Sequence, residues 1–481
     1  MTSLLSLLIL AAAPIHSDLG HETRGCAFRA SVVAPLDSVD RYVKAELARQ
    51  RIPGLSVAVL RGDSVLLARG YGYANVEHDV PATDSTIYQS GSVGKQFTAA
   101  AVVMLSEDGR LGLDDPVTRY LPQGGKRWRG ITIRHLLTHT SGIPDYADST
   151  LDYRRPYTEE DMVLLASRLP LQFKPGERWS YSNTGYLLLG AVIRKVTGRF
   201  YGDFLQERIF EPTGMRTTRV ISESEIVRHR AAGYELDDGK LRNQSWVSPE
   251  INTTADGSLY LSVRDLAAWA IALNHGQVPS RSVLEASWTP VQLNSGATYP
   301  YGFGWRIGEQ RGYRQIGHSG AWQGFQTSIQ RYPDFGLTVI VLANLADSET
   351  EAISFGIAGI MEPALAAPHL LERPLGGERP PQPIPELLHK IATGSAPQVT
   401  QGYRGFATSE LRQEVAAELE SGGSWTFLGC DATEARKISR LGATVERICY
   451  ARRAHEGGDG VLATVLYAGG WKAADVEFYE F

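Results

Sequence analysis

Strand-like runs stand at both ends of residues 36–360 and a long helical stretch separates them, an order that restricts the possible folds of this 481-residue chain more than any other feature. Leu36, Val39, Tyr42, Val43 and Leu47 recur at helical spacing, and two β-like runs follow, 55–60 and 64–68, joined through Arg61-Gly62-Asp63 as a hairpin. Apolar periodicity over 93–105 predicts a helix that stops at Gly109. Residues 110–290 then alternate short helical pieces with loops rich in Gly, Pro, Ser and Asn. Strand signals return at 301–307, 323–332 and 337–343, before a helical stretch over 348–361. Pairing strands from both ends requires one antiparallel sheet completed where the chain ends meet, flanked by helices and carrying a helical subdomain. This is an α+β fold.

Seven of the 24 prolines fall between Pro363 and Pro385, a density that blocks regular structure and marks 363–385 as a stiff linker. The first domain is therefore read as 36–362. Beyond the linker, 410–419 has the pattern of an amphipathic helix, and 425–428, 445–450, 461–467 and 476–479 read as strands. Residues 386–481 are expected to form a second, small α+β domain of unassigned role, a cone-like sheet with one helix, with few core contacts crossing the linker.

At the start, the run from Leu4 to Ala13 is shorter than the roughly 20 residues a membrane helix needs. With Ala11, Ala12 and Ala13 as small cleavage-site residues, 1–17 read as a signal peptide and 18–35, including Cys26, as an N-terminal tail. Export to the periplasm or medium is the expectation, and no later stretch reaches membrane-spanning length. In that compartment Cys430 and Cys449, both in strand-like runs, can pair; two buried thiols are the alternative.

A formal charge of −5 and a pI near 6.2 lack the basic balance of a nucleic-acid binder, so the expected partner is a small-molecule or peptide substrate. Of the nine lysines, Lys95 alone has a serine three residues earlier, in Ser92-Val93-Gly94-Lys95 at the start of the predicted helix. There the serine lies beside free backbone N–H groups and the positive end of the helix dipole, and positions i and i+3 share a face. The pair is a nucleophile with an adjacent base. Tyr181-Ser182-Asn183, ahead of a helical stretch 185–196, forms a second polar set. His318-Ser319-Gly320, bounded by Gly317 and opening a strand-like run, forms a third.

In this order the three sets resemble the S-x-x-K, Y-x-N and [KH]-[TS]-G motifs of the penicillin-recognising serine hydrolases, in the branch of class C β-lactamases, DD-peptidases and esterases. Leu136-Leu137-Thr138-His139-Thr140-Ser141-Gly142-Ile143-Pro144 and Glu211-Pro212-Thr213-Gly214-Met215 are further family phrases, and the likeness covers about 36–360. The resemblance implies that Ser92 attacks a carbonyl to form an acyl-enzyme, that Lys95 and Tyr181 share its proton, and that Asn183 holds the substrate amide. It implies a substrate-binding strand at His318, Ser319 and Gly320, and an oxyanion hole made of the Ser92 and Ala321 backbone N–H groups. No cofactor or metal is implied.

The substrates so indicated are esters, amides or D-amino-acid peptides. A β-lactamase or DD-carboxypeptidase is the alternative, and a penicillin-binding sensor that is acylated without turnover is a third reading. His318 stands where typical β-lactamases carry Lys. An imidazole of ordinary pKa, near 6.5, is mostly neutral at pH 7, so anionic substrates are expected to bind better only below pH 6. Three rival patterns compete with these sets. His135 and His139 have the i, i+4 spacing of a zinc helix but Leu136 where a general-base Glu belongs. Gly317 to Ala321 approaches a nucleophile elbow but lacks its last glycine. Tyr73-Ala74-Asn75 matches Y-x-N but precedes Ser92 in the hairpin region, so it is read as fortuitous.

Overall fold

Residues 54–61 and 337–343 are apolar at nearly every position, and a strand without a polar face is stable only when both of its faces are covered. In the computed structural model these two stretches pair at the centre of a seven-stranded antiparallel sheet. The structure describes residues 22–146, 151–276, 278–296, 298–366, 379–396, 398–400, 403, 409–420, 423–432, 445–454 and 460–480.

The elements that matter for the site are, in chain order, α1 (Glu22–Arg49), β1 (Gly54–Arg61), β2 (Ser64–Asn75), β3 (Val80–Pro81), α2 (Lys95–Glu107) and α3 (Ile133–Leu137). They continue with α4 (Glu159–Arg168), α5 (Asn183–Thr197), α6 (Val263–His275), α7 (Arg281–Ser287), β4 (Arg306–Gln310), β5 (Tyr313–Trp322), β6 (Phe325–Tyr332), β7 (Leu337–Ala343) and α8 (Thr350–Met361). The strand order is β4-β5-β6-β7-β1-β2-β3, so the sheet closes by pairing β1 with β7, near the two ends of the domain.

Register then sorts the side chains. Val57, Val59, Val339 and Val341 pack against Val39 and Val43 of α1 and Ile353 and Ile357 of α8. The alternate residues Ala58, Leu60, Ile340 and Leu342 face the other way, into the core formed with Phe97 of α2, Leu266 and Trp269 of α6 and the helical middle. Truncating one of these fully buried residues, Leu342 to Ala for example, would cost about 2–5 kcal/mol.

Three expectations shift. First, α1 begins at Glu22, so most of 18–35 continues a helix where a tail was expected, and Cys26 falls within it. Second, 301–305 do not extend β4: Tyr301 bridges back to Arg306 around Gly304, whose φ of +75° suits glycine. Third, the His318 set opens no later strand but lies inside β5, which lacked a strand signal because Gly317, Ser319 and Gly320 weaken β patterning. The predicted signal segment 1–17 lies outside the described residues. Among the described residues, no helix is long and apolar enough to cross a membrane.

C-terminal to the sheet domain, α9 (Ile384–Ala392) and α10 (Ser409–Glu420) pack with β8 (Trp425–Ala432), β9 (Arg447–Ala454), β10 (Gly460–Ala468) and β11 (Lys472–Glu480). Among the described residues, more than one helix accompanies the four antiparallel strands where one was expected. Leu387, Leu388, Val415, Val465 and Val476 form a core of their own. Cys430 and Cys449 face each other across β8 and β9 and are joined by a disulfide. The expected linker is shorter at both ends. Pro363–Leu365 form a turn whose Leu365 is buried in the first domain, and α9 starts at Ile384. Residues 367–378 lie outside the described residues.

Contacts cross between the parts: Tyr299 packs on the C-terminal core, and Arg311 Nη2 donates to the Tyr450 hydroxyl at 3.2 Å with its guanidinium 5.6 Å from the Tyr450 ring. With separate hydrophobic cores, a chain ending at Ala366 should unfold in a single cooperative transition and keep its near-UV circular dichroism. Loss of that signal, or aggregation, would show that the two parts share a core.

Candidate active site

A turn of 3-10 helix, Gly91–Gly94, runs directly into α2 and places Ser92 one turn ahead of Lys95, the first residue of the helix. Lys95 Nζ lies 2.9 Å from Ser92 Oγ and donates to Asn183 Oδ1 and to the Asp256 backbone oxygen, each at 2.6 Å. Its side chain has no exposure to water, so these contacts are its solvation shell.

Asn183 opens α5. Its backbone N and Nδ2 both donate to Asp145 Oδ2 at 2.9 Å. Its carboxamide thus braces Lys95 against Asp145. The Tyr181 ring lies 4.9 Å from Lys95 Nζ, but its buried hydroxyl has no hydrogen-bond partner, so it is not bonded to Ser92 or Lys95.

β5 approaches the serine turn backbone to backbone, which glycine permits at two points. A Cβ on Gly320 would stand 2.3 Å from the Ser90 oxygen and 2.7 Å from Ser92 N. At Gly91, with φ of +50°, it would stand 2.6 Å from Ala321 N. Without these side chains, the amides of Ser92 and Ala321 come into one neighbourhood. Thr327 on β6 adds a tie, its hydroxyl donating to the Ser90 oxygen at 2.6 Å.

His318 is buried, contrary to its expected place as an open, titrating group. Nδ1 lies 2.6 Å from the Ser319 carbonyl oxygen, which can only accept, so Nδ1 carries the proton. Nε2, 3.0 Å from the Tyr301 hydroxyl, then accepts from it. Burial, with the Arg306 charge adding, pushes the imidazole well below its usual range, so it stays neutral where an exposed histidine would titrate. Ser319, half-exposed on the same strand, supplies the carbonyl that fixes this tautomer.

Sequence reasoning missed Asp145, Asp256, Tyr301 and, above all, His139. The backbone oxygen of His139 accepts from Ser180 N at 2.9 Å, its Nδ1 accepts from Ser182 N at 3.1 Å, and its ring lies over the Tyr181 ring with centroids 4.3 Å apart. One residue thus holds both backbone flanks of Tyr181 and its ring. The family phrase around it was the available signal. His139 lies beyond the end of α3, with φ of +56°, so it does not share a helix face with His135. His135 Nδ1 instead accepts from Thr132 N at 3.1 Å as part of the α3 cap. The zinc-helix geometry is therefore not formed. Nor is the elbow, since 317–321 continue one strand. Tyr73 lies exposed near the end of β2, while Asn75, its last residue, accepts from His78 N in a turn.

An antiparallel sheet closed by its chain ends, with a lysine one turn from a serine at the head of a buried helix, defines an active-site serine hydrolase. The chain belongs to the Beta-lactamase family, whose model matches residues 39–354. It is 36% identical over 317 residues to penicillin-binding protein 4* of Bacillus subtilis (strain 168), covering 62% of this chain and 69% of that one. To the D-aminopeptidase of Gluconobacter oxydans (strain 621H) it is 28% identical over 433 residues, covering 84% and 81%. Among solved structures, the octameric penicillin-binding protein homologue from Pyrococcus abyssi matches with a TM-score of 0.61 and 26% identity, over 93% of this chain and 96% of that one.

His139 is also held neutral, by burial first and then by Lys95 and His318. Both histidines protonate more readily in the unfolded chain, which takes up protons below about pH 6.5 while the folded state does not. Stability should therefore fall as pH drops through that value, by up to about 1.4 kcal/mol per pH unit for each histidine. Urea unfolding at pH 7.5 and 5.5 measures this. His139→Phe, which keeps the ring stack but accepts nothing from Ser182, should reduce the slope and lower kcat.

Proposed function

We propose that the protein hydrolyses uncharged esters, amides or D-amino-acid peptides through an acyl-enzyme on Ser92. The arrangement around Lys95 carries this reading. When Lys95 is a neutral amine, its two N–H groups are taken by Asn183 Oδ1 and the Asp256 oxygen, leaving the lone pair directed at the Ser92 hydroxyl. Ser92 Oγ then bonds to the substrate carbonyl carbon as its proton passes to Nζ. The carbonyl oxygen takes the charge between the amides of Ser92 and Ala321.

The Tyr181 hydroxyl, buried without a partner, is the group to hand a proton to the departing oxygen or nitrogen and to recover one from Lys95. Water reverses the sequence and frees the acid. Because His318 is neutral and Arg306 is itself exposed, the third motif offers no desolvated cation to a carboxylate beside the scissile bond. The relative named D-aminopeptidase supports the peptide branch of the reading.

Ser92→Ala should abolish the covalent adduct formed with a phosphonate probe, seen by mass spectrometry. Lys95→Ala should slow acylation by about 10²- to 10⁴-fold with the fold retained; an adduct elsewhere, or an unchanged rate, rejects the assignment. A panel of p-nitrophenyl esters, D-aminoacyl amides and a chromogenic cephalosporin separates the alternatives. Steady cephalosporin turnover would indicate a β-lactamase, and labelling without turnover a sensor.

For matched anionic and neutral substrates, the ratio of kcat/KM should be the same at pH 5.5 and 8 in the wild type. His318→Lys should shift it toward the anion by about 5- to 30-fold. A wild-type ratio that changes with pH would mean that His318 titrates in the complex.

A further inference from the structure

At the ends of β5 and β6 remote from Gly320, helices α6 and α7 and the strand ends line a cavity of about 550 Å³ that opens to solvent. Its charged lining is unbalanced: Arg331, Arg314 and Arg281 face it with one acid, Glu285, which pairs with Arg281 at 3.5 Å. Arg331, on β6, is only 8% exposed. Its Nη2 donates to Asn274 Oδ1 at 2.8 Å and Nη1 to the Ala270 oxygen at 3.3 Å, both neutral acceptors.

Among the described residues, no carboxylate lies within 4 Å of Arg331 or of Arg314, whose Nη2 donates to the Trp288 oxygen at 3.0 Å. The Arg331 guanidinium stands 5.3 Å above the Trp288 ring, and the indole Nε1–H is buried without a partner. Burial pushes Arg331 down to about 10, which still leaves it charged at neutral pH. A desolvated cation without a counter-charge is costly, and a planar guanidinium with donors to spare matches the oxygens of a carboxylate or phosphate.

We infer that this cavity is a binding site, separate from Ser92, for a small organic anion whose carboxylate or phosphate group meets Arg331 and Arg314. The volume falls in the range of small-molecule pockets and exceeds what a lone inorganic ion fills, so the anion carries a body that lies along Trp288. Arg331 supplies the buried end of the site and the exposed Arg314 its mouth.

The full-length protein tests this by isothermal titration calorimetry and thermal unfolding with pyrophosphate and with citrate, each against sodium chloride of equal ionic strength. The two arms distinguish phosphate from carboxylate recognition. Saturable binding of at least one is expected, with an upward shift of Tm that chloride does not reproduce. Arg314→Ala should weaken that binding by about 5- to 30-fold while hydrolysis of an activated ester stays unchanged. Arg331→Met should abolish it and leave Tm in anion-free buffer equal to or above the wild-type value. Absence of saturable binding by either probe overturns the inference, and so does binding that Arg314→Ala leaves intact, whether or not Arg331→Met folds.

Discussion

Lys95 has three donors when charged and no water to satisfy them, so its burial dictates which segments must meet around it. Ser92 comes from the preceding turn, Asn183 from the start of α5, and the Asp256 carbonyl from the stretch ahead of α6. Two of these partners are themselves fixed, Asn183 by Asp145 and Asp256 through its carboxylate, which accepts from the Tyr146 hydroxyl at 2.7 Å. Withdrawing one acceptor would leave a buried donor unmatched, at about 1–3 kcal/mol or more where the group is charged. Structural and catalytic demands coincide: the contacts that make the buried amine tolerable also aim it at the serine.

The sheet supplies the second half of the site, and does so through missing side chains. Gly320 lets β5 lie against the Ser92 turn, and Gly91 accepts the left-handed backbone that brings the turn back to Ala321. Oxyanion-type stabilisation depends on donors fixed before the charge develops. Here the fixing is done by backbone packing of a strand that also belongs to the central sheet, with Thr327 of β6 holding the Ser90 carbonyl. Stability of the β5–β6 pair is thereby linked to the alignment of the two amides.

Much of this was legible from local pattern. The hairpin β1–β2, the helix after Ser92, β7 and the four C-terminal strands follow from apolar periodicity, which survives because burial enforces it along each element. The proximity of Lys95 to Ser92 was legible because i, i+3 spacing at a helix start puts both side chains on one face, whereas Tyr181 was indicated only by its resemblance to a family motif. β5 was not, since the glycines that admit the serine turn dilute its alternation. Asp256 was invisible for a different reason: it reaches Lys95 through a carbonyl that any residue would provide. His139 was left without a role: its spacing from His135 implies a shared helix face only if the helix continues, and α3 ends at Leu137. Its clamp on Ser180 and Ser182 is a tertiary contact that spacing does not encode.

His318 shows how the same residue type can serve opposite ends. Exposed on a strand, it would be a cation in mild acid and could draw a carboxylate into the cleft. Buried between Tyr301 and its neighbour's carbonyl, its two ring nitrogens are already spent, one donating to Ser319 and one accepting from Tyr301. Protonation would place a second donor against the Tyr301 hydroxyl and an uncompensated charge near Lys95 and Arg306, which is the direction of its depressed pKa. Tyr301 also stands 4.8 Å, centroid to centroid, from the His139 ring and 5.8 Å from that of Trp179, which stacks on Tyr299 at the edge of the C-terminal core. Tyr181, Tyr301, His139 and Trp179 thus form one aromatic cluster around His318, braced through Tyr299 at the edge of the C-terminal core, and on the proposed function these rings would select substrates by shape and hydrogen bonding.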